Sequence, residues 1–147
     1  MAGDGIDQLY GFGGSDLLIG GNGKDTLYGA GDQDIFIAGT SVWDNNAIAL
    51  QSILIYWTSN LADLSTVWYQ TRVTTLRDVG VGAGTWGLNA TTTMDDNALD
   101  TLYAAAGVPT GAVRKPNWYL RNTLGAGIRD SLIGGVAGEE STDNRDV

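Results

Sequence analysis

Residues 2–37 read AGDGIDQLY, GFGGSDLLI, GGNGKDTLY and GAGDQDIFI, four nine-residue units in unbroken register. Asp7, Asp16, Asp25 and Asp34 hold the sixth place of each unit, and Leu9, Leu18, Leu27 and Phe36 hold the eighth. Glycine fills most of places one to four. A constant period of this kind marks a stacked architecture, in which each unit buries its apolar face only against its neighbours. The glycines permit a tight turn and a backbone approach that a Cβ would block. The three residues after the turn form a short strand, and alternation points only the middle one inward, so place eight alone is always large and apolar. A flexible Gly/Asp linker would share the composition but not the regular spacing of those four apolar residues.

Two units make one coil of a parallel β-roll, so unit one lies under unit three and unit two under unit four. Facing turns then bring carboxylates together with main-chain carbonyl oxygens, an all-oxygen surrounding suited to Ca2+. Four units predict two sites, one using Asp7 and Asp25, the other Asp16 and Asp34.

The third unit, GGNGKDTLY (20–28), satisfies every position of the calcium-binding nonapeptide G-G-x-G-x-D-x-U-x, and the stretch resembles the RTX family of repeat proteins. That resemblance implies how the carbonyl ligands are shared. The earlier turn would give places one and three (Ala2 and Asp4; Gly11 and Gly13), the later turn places two and four (Gly21 and Gly23; Ala30 and Asp32). Phe12 and Ala30 replace glycine at place two and Asp32 at place four, so weaker or distorted sites are expected there. The segment from Trp43 to Glu140 also resembles C-terminal domains of large bacterial RTX-like secreted proteins. WDNNAIALQSILIYW (43–57), TRVTTLRD (71–78), LNATTTMDDNALDTLYAAAG (88–107) and NWYL (117–120) carry this likeness. Such relatives usually continue as GGxGxDWFF, which AAAG, an inserted loop and NWYL replace here. The resemblance implies type I export of an unfolded chain, with folding outside the cell where calcium is abundant.

Composition narrows the classes further. The 147 residues suffice for one domain with a real core, and 22 glycines against 2 prolines suit a glycine-turned solenoid. With 17 acidic and 8 basic residues the net charge is −9, and no basic face exists to neutralise phosphates, which argues against nucleic acid as a partner. Histidine is absent, excluding His-based catalysis and His-ligated zinc; cysteine is absent, excluding disulfides and thiolate chemistry. Neither a signal peptide nor an apolar run of membrane-spanning length is present, and Met1 opens directly onto a repeat, as in a chain cut from a longer protein.

Beyond the repeats, residues 38–87 read as a helical insert and linker. Asp44 is the expected N-cap of a first helix with Ile48, Ile53, Leu54 and Trp57 inward. Residues 61–78 predict a second helix with Leu61, Leu64, Trp68 and Leu76 on its apolar side, and Arg72 and Arg77 as solvated or paired surface charges. The strand faces say where this insert goes. Units one and three carry Gln8/Tyr10 and Thr26/Tyr28 outward, whereas units two and four carry Leu17/Ile19 and Ile35/Ile37, an apolar face that needs a cover. The predicted fold is therefore mainly β, a parallel β-roll (β-solenoid) with an inserted α-helical hairpin packed on one sheet.

Residues 79–87 read as a flexible connection and 88–94 as a strand. Residues 88–135 as a whole read as a degenerate continuation of the roll. Asp100, Thr101, Leu102 and Tyr103 match Asp25, Thr26, Leu27 and Tyr28, which predicts a third site from Gly20, Asn22 and Asp25 with Asp96, Ala98 and Asp100. After a loop over 108–116, NWYL sets Tyr119 over Phe36 and Leu120 over Ile37. Asn117 then stands where a ligand aspartate would, with no full site expected. Asp130 and Leu132 hold places six and eight of another degenerate unit, and 136–147 form a polar tail compatible with a type I export signal.

The function expected is a secreted, non-catalytic calcium-binding module whose folding depends on the ion. The alternative is a subunit that assembles head to tail through the open ends of its solenoid. Catalysis is not expected: Asp95 and Asp96 are adjacent, a poor acid–base geometry on a strand, and no nucleophile elbow or P-loop is present.

Overall fold

A computed structural model describes residues 1–60, 65–104, 116–121, 129–135 and 140–143. Parallel strands dominate, with two short helices. Strands β1 (Gln8–Tyr10), β2 (Leu17–Ile19), β3 (Thr26–Tyr28) and β4 (Ile35–Ile37) are each three residues long and occupy places seven to nine of their units. After β5 (Thr40–Ser41) come helices α1 (Ala47–Trp57) and α2 (Thr66–Thr74), the latter running into a π-helical turn at Thr75–Val79. Strands β6 (Thr93–Met94), β7 (Thr101–Tyr103), β8 (Trp118–Arg121), β9 (Ser131–Ile133) and β10 (Glu140–Asp143) follow.

The strands sort into two parallel sheets, ordered β1-β3-β7-β9 and β10-β8-β4-β2, so the chain alternates between them. Register follows the nine-residue period doubled: Leu9 pairs with Leu27 and Leu18 with Phe36. It survives the long interruption, because Leu27 pairs with Leu102 and Leu102 with Leu132. Phe36 pairs with Tyr119 and Ile37 with Leu120, and the Phe36 and Tyr119 rings stack at 5.1 Å. Place-eight side chains of both sheets meet in one buried cluster of Leu18, Leu27, Phe36, Leu102 and Tyr119, flanked by Leu9 and Leu132.

A second cluster lies on the other face of the β2/β4/β8 sheet. Ile19, Ile35, Ile37, Trp118 and Leu120 pack there against Ile53, Trp57, Tyr69, Val73 and Leu76. The apolar outward places thus receive the two helices. The opposite sheet carries a ladder of stacked rings on its outer face, Tyr10 on Tyr28 at 4.6 Å and Tyr28 on Tyr103 at 4.8 Å.

Several local expectations are corrected. Asn46, not Asp44, caps α1 by accepting from the Ala49 N–H at 3.1 Å. The Asp44 carboxylate instead accepts from the Ser41 N–H and hydroxyl, closing the turn before the helix. Ile48 is 66% exposed, and Ala49 takes its place on the buried face with Ile53 and Trp57. Arg72 is fully buried rather than a surface charge, whereas Arg77 pairs with Asp78 at 2.7 Å. The strand expected over 88–94 shrinks to Thr93–Met94, antiparallel to β5, because the Asn89 and Thr92 side chains fold the preceding residues into a turn. The connection expected to be flexible closes on itself through paired hydrogen bonds of Val81 and Trp86, both 2.8 Å. The polar tail contributes β10, paired with β8. Leu61 and Leu64, residues 108–115 of the expected loop and residues 125–128 lie outside the described residues.

Candidate cation sites in the turns

The turns before the strands stack as regularly as the strands, and place six forms a ladder of its own. The Asp7 N–H donates to Asp25 Oδ1 at 2.8 Å, and the Asp25 N–H donates to Asp100 Oδ1 at 2.6 Å. The Asp100 N–H in turn donates to Asp130 Oδ1 at 3.0 Å. In the second column the Asp16 N–H donates to Asp34 Oδ1 at 2.9 Å, and the Asp34 N–H to Asn117 Oδ1 at 2.7 Å. Asp25, Asp34, Asp100, Asp130 and Asn117 thus each satisfy one main-chain donor of the neighbouring turn.

Only one carboxylate oxygen is used in this way. Oδ2 of Asp16, Asp25, Asp34 and Asp100 is buried without a hydrogen-bond partner. A buried acceptor left unpaired costs about 1–3 kcal/mol, more when charged. The first residue of units two to four closes around that oxygen, with Gly29 against Asp34: a Cβ on Gly11 would lie 2.6 Å from Asp16 Oδ2, and one on Gly20 would lie 2.8 Å from Asp25 Oδ2. Burial raises the Asp34 and Asp100 carboxyls to about 8 and Asp25 to about 6 from 3.8, and neighbouring carboxylates add to the rise. Asp16 is raised by burial as well. Such oxygens demand a proton or a cation.

The residues expected to supply carbonyls stand in the turns that precede these strands. In the first column the turns are tied by main-chain hydrogen bonds, Gly5 N–H to Asn22 O at 2.7 Å and Asn22 N–H to Gly3 O at 2.9 Å. The Asn22 amide also donates to Asp4 Oδ1. The carbonyls so used belong to Gly3 and Asn22, the residues between Ala2 and Asp4 and between Gly21 and Gly23. In the second column the tie is longer, Gly31 N–H to Phe12 O at 3.4 Å, and Phe12 lies between Gly11 and Gly13. Phe12 and Ala30 adopt φ of 68° and 71°, the left-handed region that glycine takes at Gly21 with φ 100°. Asp32 keeps its φ negative where Gly5, Gly14 and Gly23 are positive, so the fourth turn has its own shape.

At the third expected position Asp96 comes close to Asp25 and Asp100, but both its oxygens are engaged. Gly23 N–H donates to one, and Ala98 N–H donates to the other at 3.1 Å. Asn22 O already accepts from Gly5, leaving one lone pair there. Among the described residues no group of three or more acidic side chains is gathered so that it could hold a metal ion by itself. Asp130, in place six and buried on the tier beyond Asp100, extends the ladder past the three expected sites. Its signal was the pair Asp130/Leu132 at places six and eight.

The four unpaired, buried Oδ2 atoms fit a hard cation, which carries charge without the directional demands of a proton. Comparisons with protein-family models, curated proteins and solved structures found no match. No helix of the described residues is long and apolar enough to cross a membrane.

Proposed function

We propose that this chain is a calcium-binding β-roll module, related to the RTX nonapeptide repeats, whose folding depends on the ion. It would serve a structural, non-catalytic role in a secreted bacterial protein that is exported unfolded. The observation that carries the reading is the set of buried Oδ2 atoms without hydrogen-bond partners in the two columns, at Asp25 and Asp100 in one and Asp16 and Asp34 in the other. Calcium bound to a site missing from the unfolded chain contributes its binding energy to folding. Circular dichroism during a calcium titration, with magnesium as control, tests it. Calcium should induce the β signal, whereas magnesium, with its stricter octahedral geometry, should substitute poorly. Indifference to calcium would refute the reading.

A second reading, head-to-tail assembly, draws on the outer strands β1 and β2. Beside them Ile6 is 81% and Phe12 74% exposed, and the sheet edges there can accept another copy's strands. Light scattering with calcium present separates the two: a growing particle supports assembly, and a constant monomer mass opposes it.

A further inference from the structure

The two columns of turns differ at place five. In the first column Ile6 and Lys24 face solvent. In the second, Gln33, flanked by Asp32 and Asp34, is buried beneath the helices. The Trp57 indole N–H donates to Gln33 O at 2.7 Å, and the Arg72 guanidinium donates both to Gln33 Oε1 and to Trp57 O. That guanidinium also lies over the Trp57 ring, 4.6 Å from its centroid. One tier further, the Tyr69 hydroxyl donates to Asn117 O at 2.7 Å, while Asn117 Oδ1 accepts from the Asp34 N–H. The peptide joining Gln33 to Asp34 is therefore gripped on its carbonyl by α1 and on its N–H by the side chain of Asn117, whose own carbonyl α2 holds.

We infer that Trp57, Arg72 and Tyr69 are positioning residues for the Asp16/Asp34 cation position, so that occupancy there and docking of the two helices reinforce each other. This rests on the calcium reading above. The physical need is visible in the turns, since the second column has the longer turn-to-turn tie, a non-glycine residue at place two of both its turns and an aspartate at place four. A turn held from outside its own stack loses less freedom when it binds an ion. By linkage, the ion returns the same free energy to the helices. The first column, without such a grip, is independent of them.

Calcium binding by calorimetry in two backgrounds tests this. Asp25→Asn silences the first column and Asp34→Asn the second. Trp57→Phe should weaken binding about tenfold in the Asp25→Asn background and leave it within about twofold in the Asp34→Asn background. If Trp57→Phe fails to fold, Tyr69→Phe removes a single oxygen and should give the same split. Hydrogen exchange adds the reciprocal readout: calcium should slow exchange in α1 and α2 in the Asp25→Asn protein but not in the Asp34→Asn protein. Equal losses in both backgrounds, or no loss in either, would overturn the coupling while leaving the calcium reading intact. A parent chain that binds no calcium would overturn both.

Discussion

Asp100 and Asn117 occupy the same tier of the two columns and do the same work for the backbone. Each accepts the N–H of the place-six residue beneath it, Asp25 in one case and Asp34 in the other. They differ in the second atom of the head group. Asn117 Nδ2 donates to Ala104 O at 3.1 Å and to the Tyr119 hydroxyl at 3.2 Å, so the amide is satisfied on both sides. Asp100 Oδ2 has no hydrogen-bond partner and is buried. An uncharged amide thus maintains the ladder, and the charge on the aspartates is not required by it. Charge that costs desolvation and contributes nothing to the backbone needs a reason elsewhere, and the proposed cation would supply one.

The largest effect that bears on this comparison is expected from Asp25→Ala. It removes the acceptor of the Asp7 N–H and the carboxylate between two tiers. With calcium present it should cost on the order of 3 kcal/mol, read from chemical denaturation. Asn117→Asp makes the converse change, replacing a satisfied amide by a carboxylate that cannot donate to Ala104 O. Without calcium it should destabilise the chain by about 2 kcal/mol in the same assay. A neutral outcome would mean that the amide and the carboxylate are interchangeable there.

A pH series comes next in size. Asp25, Asp34 and Asp100 hold their protons more tightly folded, at about 6, 8 and 8, than at the unfolded value of 3.8. Stability of the metal-free chain is therefore full below about pH 4 and falls as pH rises towards 8, because the folded state binds more protons across that window. Calcium bound as proposed would compete with those protons, so the rise in melting temperature it produces should grow over the same range. The smallest effect is expected from Ala30→Gly, which relieves a left-handed alanine in the second column. It should gain up to about 1 kcal/mol in thermal unfolding with calcium present.

Much of the stacking was legible because it repeats. Place eight must be apolar in every strand, so Leu102 and Leu132 announce their strands even across interruptions, and DTLY at 100–103 restores the register of 25–28. The cover over one sheet was legible too, since Leu17, Ile19, Ile35 and Ile37 make an outward face that water would penalise. What single residues do across long gaps was not. Nothing near Arg72 in sequence indicates that its guanidinium reaches a glutamine 39 residues earlier. Nor does a helix pattern of apolar residues decide between Ile48 and Ala49 when the face must fit closely over strands. Strand β10 has no sequence signature, because ESTD is polar and gains its place by pairing with β8 rather than by its own pattern.

The most direct test of the claim that these aspartates carry charge for a cation is the triple variant Asp25→Asn, Asp34→Asn, Asp100→Asn. Asparagine keeps each ladder acceptor while removing the buried charge. Measured by thermal unfolding with and without calcium, the variant should melt higher than the parent chain in the absence of calcium and respond little to its addition. A variant that melts lower than the metal-free parent, or that calcium stabilises as strongly as it does the parent, would contradict the account.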